Sequence, residues 1–399
     1  VIEDWFRKLE RELEGLREKG RLRSLRTYSG MNDRLLNDRP SNNPSSIDFG
    51  SNDYLGFAED PKLKELAFES LRASALSSSS SRLLPGHHAA HAAAEAYFAR
   101  FVGAEAALLF NSGYDANTAL LTTLPTRHDL ILYDDRSHAS IYDGVHASLA
   151  KSKRFAHNSA ADLRRILESI GQIFGQIFVV LESVYSMDGD IAEVEAIARV
   201  AHDYSAILMV DEAHATGVLG MRGEGLVKNT IGRNNSVLTV HTCGKALGAA
   251  GAFIAGSRTV VEYLINKARP FIYTTALPPL IPLQLISAIQ RLESEGPELV
   301  TTLCERSYFL RTELKKSLHR WTVPEGRTPI ISILIGADEH ALRAARILER
   351  LGFQVPAIRP PTVPEGSARL RLNVSLRHHE GDLRRVIDAI VRTEAEMSN

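Results

Sequence analysis

Cysteine is nearly absent: 399 residues hold only Cys243 and Cys304. A disulfide-stapled scaffold is therefore excluded, and a reducing, cytoplasmic setting is expected. No apolar run reaches the roughly 18 residues that a membrane span needs, so no membrane partner is expected. The opening stretch, VIEDWFRKLERELEGLREKG, is charged and lacks the apolar centre of a secretion signal. Excess charge of either sign is also missing. Lys plus Arg total 47 and Asp plus Glu 48, a net of -1. That argues against a nucleic-acid partner held by electrostatics. What remains is ordinary globular material, 44% hydrophobic and 24% charged, long enough for two or three lobes.

Residues 1–19 predict a helix, with Ile2, Phe6, Leu9, Leu13 and Leu16 on one stripe and Gly20 as its stop. That stripe is expected to pack on the body of the protein or on a second subunit. A polar, turn-rich connector follows over 21–50. Between 61 and 285 short apolar runs alternate with helical periods: AALLF (106–110), LILYD (130–134), IFVVLES (177–183), AILMVDEAH (206–214), SVLTVHTCGK (236–245) and GAFIAG (251–256). This pattern predicts βαβ units in a mostly parallel sheet covered on both faces. Past a break near PPLIP (278–282), residues 286–399 read as a smaller α+β lobe. Its strand ARLRLNVSL (368–376) alternates, with Leu370, Leu372, Val374 and Leu376 on one face and Arg369, Arg371 and Asn373 on a polar one. The fold class is α/β, in three parts: 1–60, 61–285 and 286–399.

Ligands in such sheets sit beyond the carboxyl ends of the strands, and reactive groups cluster there. Lys245, in HTCGKALG, is flanked by small residues where burial would lower its pKa. A neutral amine forms a Schiff base with an aldehyde. Asp211 ends the apolar run ILMVD and needs a cationic or donating partner. The protonated ring nitrogen of pyridoxal 5'-phosphate is one such partner. His214 lies three residues on, and His138 follows LILYD. The turn Ser112-Gly113-Tyr114 opens a helix after a strand and offers amides to a phosphate. Glu182 and Ser186 also lie beyond a strand end. Arg371 can grip a carboxylate with two parallel bonds.

Each group alone has a plain reading: a lysine in a Gly-rich turn, an aspartate capping a helix, loop histidines, a solvated arginine. Their coincidence at the ends of different strands favours a shared cleft. Two decoys fall away. DEAH (211–214) lacks the phosphate loop that a helicase ATPase requires. His87, His88 and His91 have no partners at metal-ligand spacing, so no metal is expected.

Across nearly its whole length the chain resembles the α-oxoamine synthases, fold type I pyridoxal-phosphate enzymes. The segments are SNDYLGF, SRLLPGHHAAH, FNSGYDAN, DDRSHASI, ESVYSMDGD, MVDEAHATGVLG, TCGKALG, RPFIYTTALPP and AIRPPTVPEGSARLRL. The resemblance implies a large domain with a mostly parallel central sheet plus a smaller C-terminal α+β domain. It implies condensation of an amino acid with an acyl-CoA or acyl-carrier thioester, with loss of carbon dioxide. The last two segments resemble the biotin-pathway branch, implying L-alanine and a pimeloyl thioester. The other branches of the family (serine palmitoyltransferase, 2-amino-3-ketobutyrate CoA ligase and 5-aminolevulinate synthase), or a non-catalytic assembly subunit, are the alternatives, though the latter would lack Lys245.

The same resemblance assigns roles. Lys245 matches the Schiff-base lysine, Asp211 the partner of the pyridine nitrogen, His214 the donor to the phenolic oxygen and His138 the ring-stacking histidine. Gly113, Tyr114 and Thr242 match phosphate contacts. Thr274 and Thr275 match residues that reach the neighbouring subunit's phosphate, which implies a homodimer with shared sites. Arg371 matches the carboxylate-binding arginine, with Arg359 on the same C-terminal loop. Asn52 and Ser186 match substrate- and cofactor-facing positions. The chain departs from the family at SSSSS (77–81), where glycines are usual, at His241 in place of a glycine, and at Ala94 in place of a leucine.

Overall fold

Runs such as LILYD and IFVVLE pack both of their faces, so neighbouring residues must serve opposite sides of one sheet. In the computed structural model, which describes residues 2–23, 25, 46–171, 173–232, 234 and 236–397, they do so. Leu130, Leu132, Val179 and Leu181 pack on one side with the helices Ala160–Ile170 and Val194–Asp203. Ile131, Tyr133, Phe178 and Val180 pack on the other with Gly113–Thr123, Ala139–Ala147 and Arg258–Lys267.

The strands in chain order are β1 Ile47–Asp48, β2 Ala106–Phe110, β3 Leu130–Asp134, β4 Lys151–Phe155, β5 Ile177–Glu182 and β6 Ile207–Asp211, then β7 Val237–Thr242, β8 Ala252–Gly256, β9 Ile330–Gly336, β10 Phe353–Gln354, β11 Ala357–Ile358 and β12 Ala368–Asn373. Seven form the large sheet in the order β2-β8-β7-β6-β5-β3-β4. Five neighbouring strands, β7, β6, β5, β3 and β4, run parallel, while β8 runs antiparallel to both β2 and β7. GAFIAG is thus the one departure from the parallel pattern in this sheet. Strand β4 has no counterpart among the expected strands. Its sequence, KSKRF, is charged and exposed except at Phe155, because it pairs on one edge only.

One 38-residue helix, Leu280–Ser317, leads from this sheet to the C-terminal layer, and the expected division at 285/286 falls inside it. Beyond it, β11, β12 and β9 form an antiparallel sheet. The N-terminal segment is stitched to that layer: β1 pairs with β10, Asn373 N donates to Phe49 O at 2.8 Å, and Leu376 N donates to Tyr54 O at 2.9 Å. The expected polar face of β12 is not solvated. Arg369, Arg371 and Asn373 are all buried, because that face meets the large domain.

The expected N-terminal helix spans Ile2–Glu18 and leaves Ile2, Phe6, Leu13 and Leu16 exposed on the isolated chain. Most of the expected connector, residues 26–45, lies outside the described residues. No helix among the described residues is long and apolar enough to cross a membrane.

Candidate active site

The parallel strands deliver their last residues to one edge of the large sheet. Asp211 and Glu182 lie side by side there, paired in register at the ends of β6 and β5. Both are buried, and they are held differently. Asp211 Oδ2 accepts from Asn117 Nδ2 at 2.7 Å, and its Oδ1 accepts from the amide of Ala213 at 2.9 Å. Glu182 Oε1 has no hydrogen-bond partner among the described residues. Burial, reinforced by the charge of Asp211, raises the Glu182 pKa well above the usual carboxylate range.

Asn117 also donates to Ser140 Oγ at 2.9 Å, which lies 2.8 Å from His138 Nδ1. The Ser140 amide donates to the same nitrogen at 3.2 Å, so Nδ1 is the acceptor and the ring proton sits on Nε2. Burial lowers the His138 pKa and keeps this ring neutral. One chain of bonds thus orients Asp211 and His138 together. Asn117 and Ser140 were not singled out from the sequence. Their signal is faint: an Asn within a small-residue helix, and a Ser two places after His138.

Lys245 is largely withdrawn from solvent and makes no hydrogen bond or ion pair among the described residues. Burial lowers its pKa from 10.5 to about 8, against the opposing pull of Asp211 and Glu182. A free amine near neutrality is what attack on an aldehyde requires.

His214 is buried, with its Nδ1 2.7 Å from the hydroxyl of Tyr54. Burial, with Lys245 and Arg371 nearby, lowers the His214 pKa well below its usual value. In the tautomer in which the Tyr54 hydroxyl donates to Nδ1, the shorter of its two contacts, the proton of the neutral ring lies on Nε2. Tyr54 is thus a site residue that the sequence signalled only by its place in SNDYLGF.

The substrate side is built by β12. Arg371 Nε donates to the Ser186 carbonyl at 2.6 Å, and its terminal nitrogens donate to Asn52 Oδ1 at 3.3 and 3.4 Å. Asn373 Nδ2 donates to the same Asn52 oxygen at 3.2 Å. Asn52, Ser186 and Arg371 therefore come together. Arg359 does not join them: its guanidinium donates to the Gly20 carbonyl, beside Arg21, Arg23 and Asp338.

At the turn after β2, Ser112 caps the next helix by accepting from Asp115 N at 3.0 Å. The amides of Gly113 and Tyr114 head that helix, where intrahelical acceptors are lacking. A Cβ on Gly113 would lie 2.3 Å from Thr242 Cγ2, so only glycine lets the turn close on β7. Thr242 Oγ1 donates to Ala213 O at 3.3 Å. Asn111 Nδ2 donates to Thr274 Oγ1 at 3.0 Å and to Thr275 O at 2.9 Å, which brings those threonines to the same turn. The serine loop is pinned to the same segment. Ser78 Oγ donates to Leu277 O at 2.6 Å, Ala276 N donates to Ser80 O at 2.9 Å, and Ser79 takes a φ of +55°, a region that glycine enters more easily. His241 is buried and neutral, since burial pushes its pKa to about 3, and it lies between Thr216 and Thr239.

Pyridoxal phosphate fits these residues on three details. The buried amine of Lys245 is unpartnered. The Asp211 carboxylate is held by neutral donors only, leaving its charge for a ring cation. The glycine turn presents free amides beside a threonine hydroxyl. Fold and site together define a pyridoxal-phosphate-dependent transferase of fold type I.

The chain belongs to the aminotransferase class I and II family, which matches residues 44–390, and within it to the α-oxoamine synthases. It is 40% identical to an 8-amino-7-oxononanoate synthase from Geobacter sulfurreducens, over 98% of this chain and 99% of that protein. Among solved structures, a serine palmitoyltransferase from Sphingomonas wittichii superposes with a TM-score of 0.83 at 30% identity, covering 88% of each chain. An 8-amino-7-oxononanoate synthase from Francisella tularensis superposes with a TM-score of 0.76 at 29% identity, covering 90% of this chain and all of that one.

Proposed function

We propose that this chain condenses L-alanine with a pimeloyl thioester, carried on coenzyme A or a carrier protein, to give 8-amino-7-oxononanoate. Carbon dioxide and the free thiol are the other products. The enzyme works as a cytoplasmic homodimer. The observation that carries this reading is the pairing of an unpartnered Lys245 amine with the Arg371 fork in one buried cleft.

Bound there, pyridoxal phosphate supplies an electron sink for the electron pair left on the amino acid's α-carbon. Lys245 would hold the cofactor through its Nζ, and the same nitrogen would take the proton from the amino acid's α-carbon. Asp211 would keep the ring nitrogen protonated. His214 would donate from Nε2 to the ring's phenolic oxygen, and His138 would stack on the ring. Ser112, Gly113, Tyr114 and Thr242 hold the phosphate, with Thr274 and Thr275 reaching the phosphate of the second subunit. Arg371 and Asn52 receive the substrate carboxylate, and Ser186 fixes the arginine. The burial of Glu182, Asp211 and His214 keeps water from the proton-transfer atoms.

Serine with a long acyl thioester is the second reading, favoured by the tighter superposition on a serine palmitoyltransferase. The test is a panel pairing L-alanine, L-serine and glycine with pimeloyl, short-chain and palmitoyl thioesters, read by product mass. Turnover with L-alanine and the pimeloyl thioester above all other pairs is the expected result. A preference for L-serine and palmitoyl thioester would refute it.

A further inference from the structure

His157 lies outside the site, in the turn after β4, and binds two carboxylates at once. Its Nδ1 stands 3.0 Å from Asp134 Oδ1 and its Nε2 3.0 Å from Asp190 Oδ2. Asp134 ends β3, four residues before His138, and is fully buried. It also accepts from the Tyr185 hydroxyl and the Asn158 amide, both at 2.7 Å. Asp190 belongs to the segment 183–191, which forms the seam between the two layers. From that segment Ser186 O receives Arg371, Met187 O receives Ser332, Gly189 O receives Thr328, and Asp188 pairs with Arg369. Asn158, next to His157, adds a bond from its Nδ2 to Ile191 O at 3.1 Å.

We propose that His157 is a positioning residue for the amino-acid subsite: it ties the end of β3 to the seam segment and so sets where the Arg371 fork stands relative to His138. The proposal rests on reading Arg371 as the carboxylate-binding residue. Burial alone would lower the His157 pKa, but its bonds to Asp134 and Asp190 outweigh it and raise the pKa to about 9. The ring is therefore an imidazolium at neutral pH, and it separates two carboxylates that would otherwise repel. A neutral replacement leaves that repulsion acting across the seam. The seam moves Ser186 O, and with it Arg371, while the Asp211 carboxylate at the end of β6 stays held by Asn117 and Ala213, and Lys245 stands in the turn that follows β7.

The experiment uses the cofactor-loaded enzyme. His157→Gln is expected to raise the KM for L-alanine about tenfold, the scale of one misaligned charge-assisted bond. The KM for the thioester, kcat and the visible absorbance of the bound cofactor should stay near the parent values. Adding Asp190→Asn removes the repulsion and is expected to recover most of the L-alanine KM. Asp190→Asn alone serves if His157→Gln does not fold, with a smaller rise in the same constant expected. An unchanged L-alanine KM in whichever of these single variants folds, or a loss shared equally by kcat, both KM values and cofactor content, overturns the proposal. Arg371→Lys is run alongside. If it leaves the L-alanine KM unchanged, the reading of Arg371 fails and the proposal goes with it. If it raises that KM while the folded His157 variant does not, only the role of His157 is refuted.

Discussion

Replacing Arg371 by Lys keeps a positive charge but removes a planar fork. In the structure Nε is committed to the Ser186 carbonyl at 2.6 Å, and both terminal nitrogens bracket Asn52 Oδ1 at 3.3 and 3.4 Å. An ammonium presents a single donor centre and does not reproduce a two-bond grip on a carboxylate. Losing one charge-assisted hydrogen bond costs about 1.5–3 kcal/mol, equivalent to a roughly 10- to 150-fold weaker hold on the amino acid. The Ser186 carbonyl loses its donor as well, which adds about 1–3 kcal/mol of destabilisation if no water replaces it. Asn52 is less affected, because Asn373 still donates to its Oδ1. The assay varies L-alanine at saturating thioester and follows thermal unfolding in parallel. A rise in KM within the stated range, with cofactor absorbance retained, is expected. An L-alanine KM within about twofold of the parent, in a folded and cofactor-loaded protein, would mean that the carboxylate is held elsewhere.

Three further outcomes follow from the same geometry. Lys245→Ala should abolish both turnover and the visible absorbance of the lysine-linked cofactor while thermal unfolding stays cooperative; retained activity would remove Lys245 from the mechanism. Gly113→Ala places a methyl 2.3 Å from Thr242 Cγ2, so cofactor affinity should fall by about tenfold or more in a dialysis titration, as expected for a spread phosphate turn. Capture of pyridoxal phosphate by the stripped enzyme should accelerate as pH rises and level off above about 8, because only the neutral amine attacks and burial has lowered the Lys245 pKa to about 8. A rate still climbing toward pH ~10.4 would indicate an ordinary exposed lysine.

The large sheet was legible where a strand is buried on both faces, as in LILYD and IFVVLE, since such runs are apolar at every position but the last. KSKRF was illegible for the converse reason: an edge strand with solvent on both sides carries no apolar pattern. The direction of β8 was also hidden, because strand sense depends on the connection and not on composition. At the site, strand-end position revealed Lys245, Asp211, His138 and His214. Arg371 was visible, but its surroundings were not, because alternation reports which residues share a face and not what covers that face. Tyr54, Asn117 and Ser140 act through contacts with residues far away in sequence, which no local pattern encodes. Arg359 was placed by proximity in the chain to Arg371, yet its side chain turns to Gly20.

The bond between Asn52 and Arg371 closes a loop of 319 residues. During synthesis, therefore, the groove cannot be completed until nearly the whole polypeptide has left the ribosome. A nascent fragment that contains Lys245 still lacks the C-terminal wall, so a complete amino-acid subsite exists only in finished chains. Truncation before β12 should accordingly yield a protein that keeps every coenzyme-holding group yet no longer retains the amino acid on gel filtration, however well the central sheet has formed.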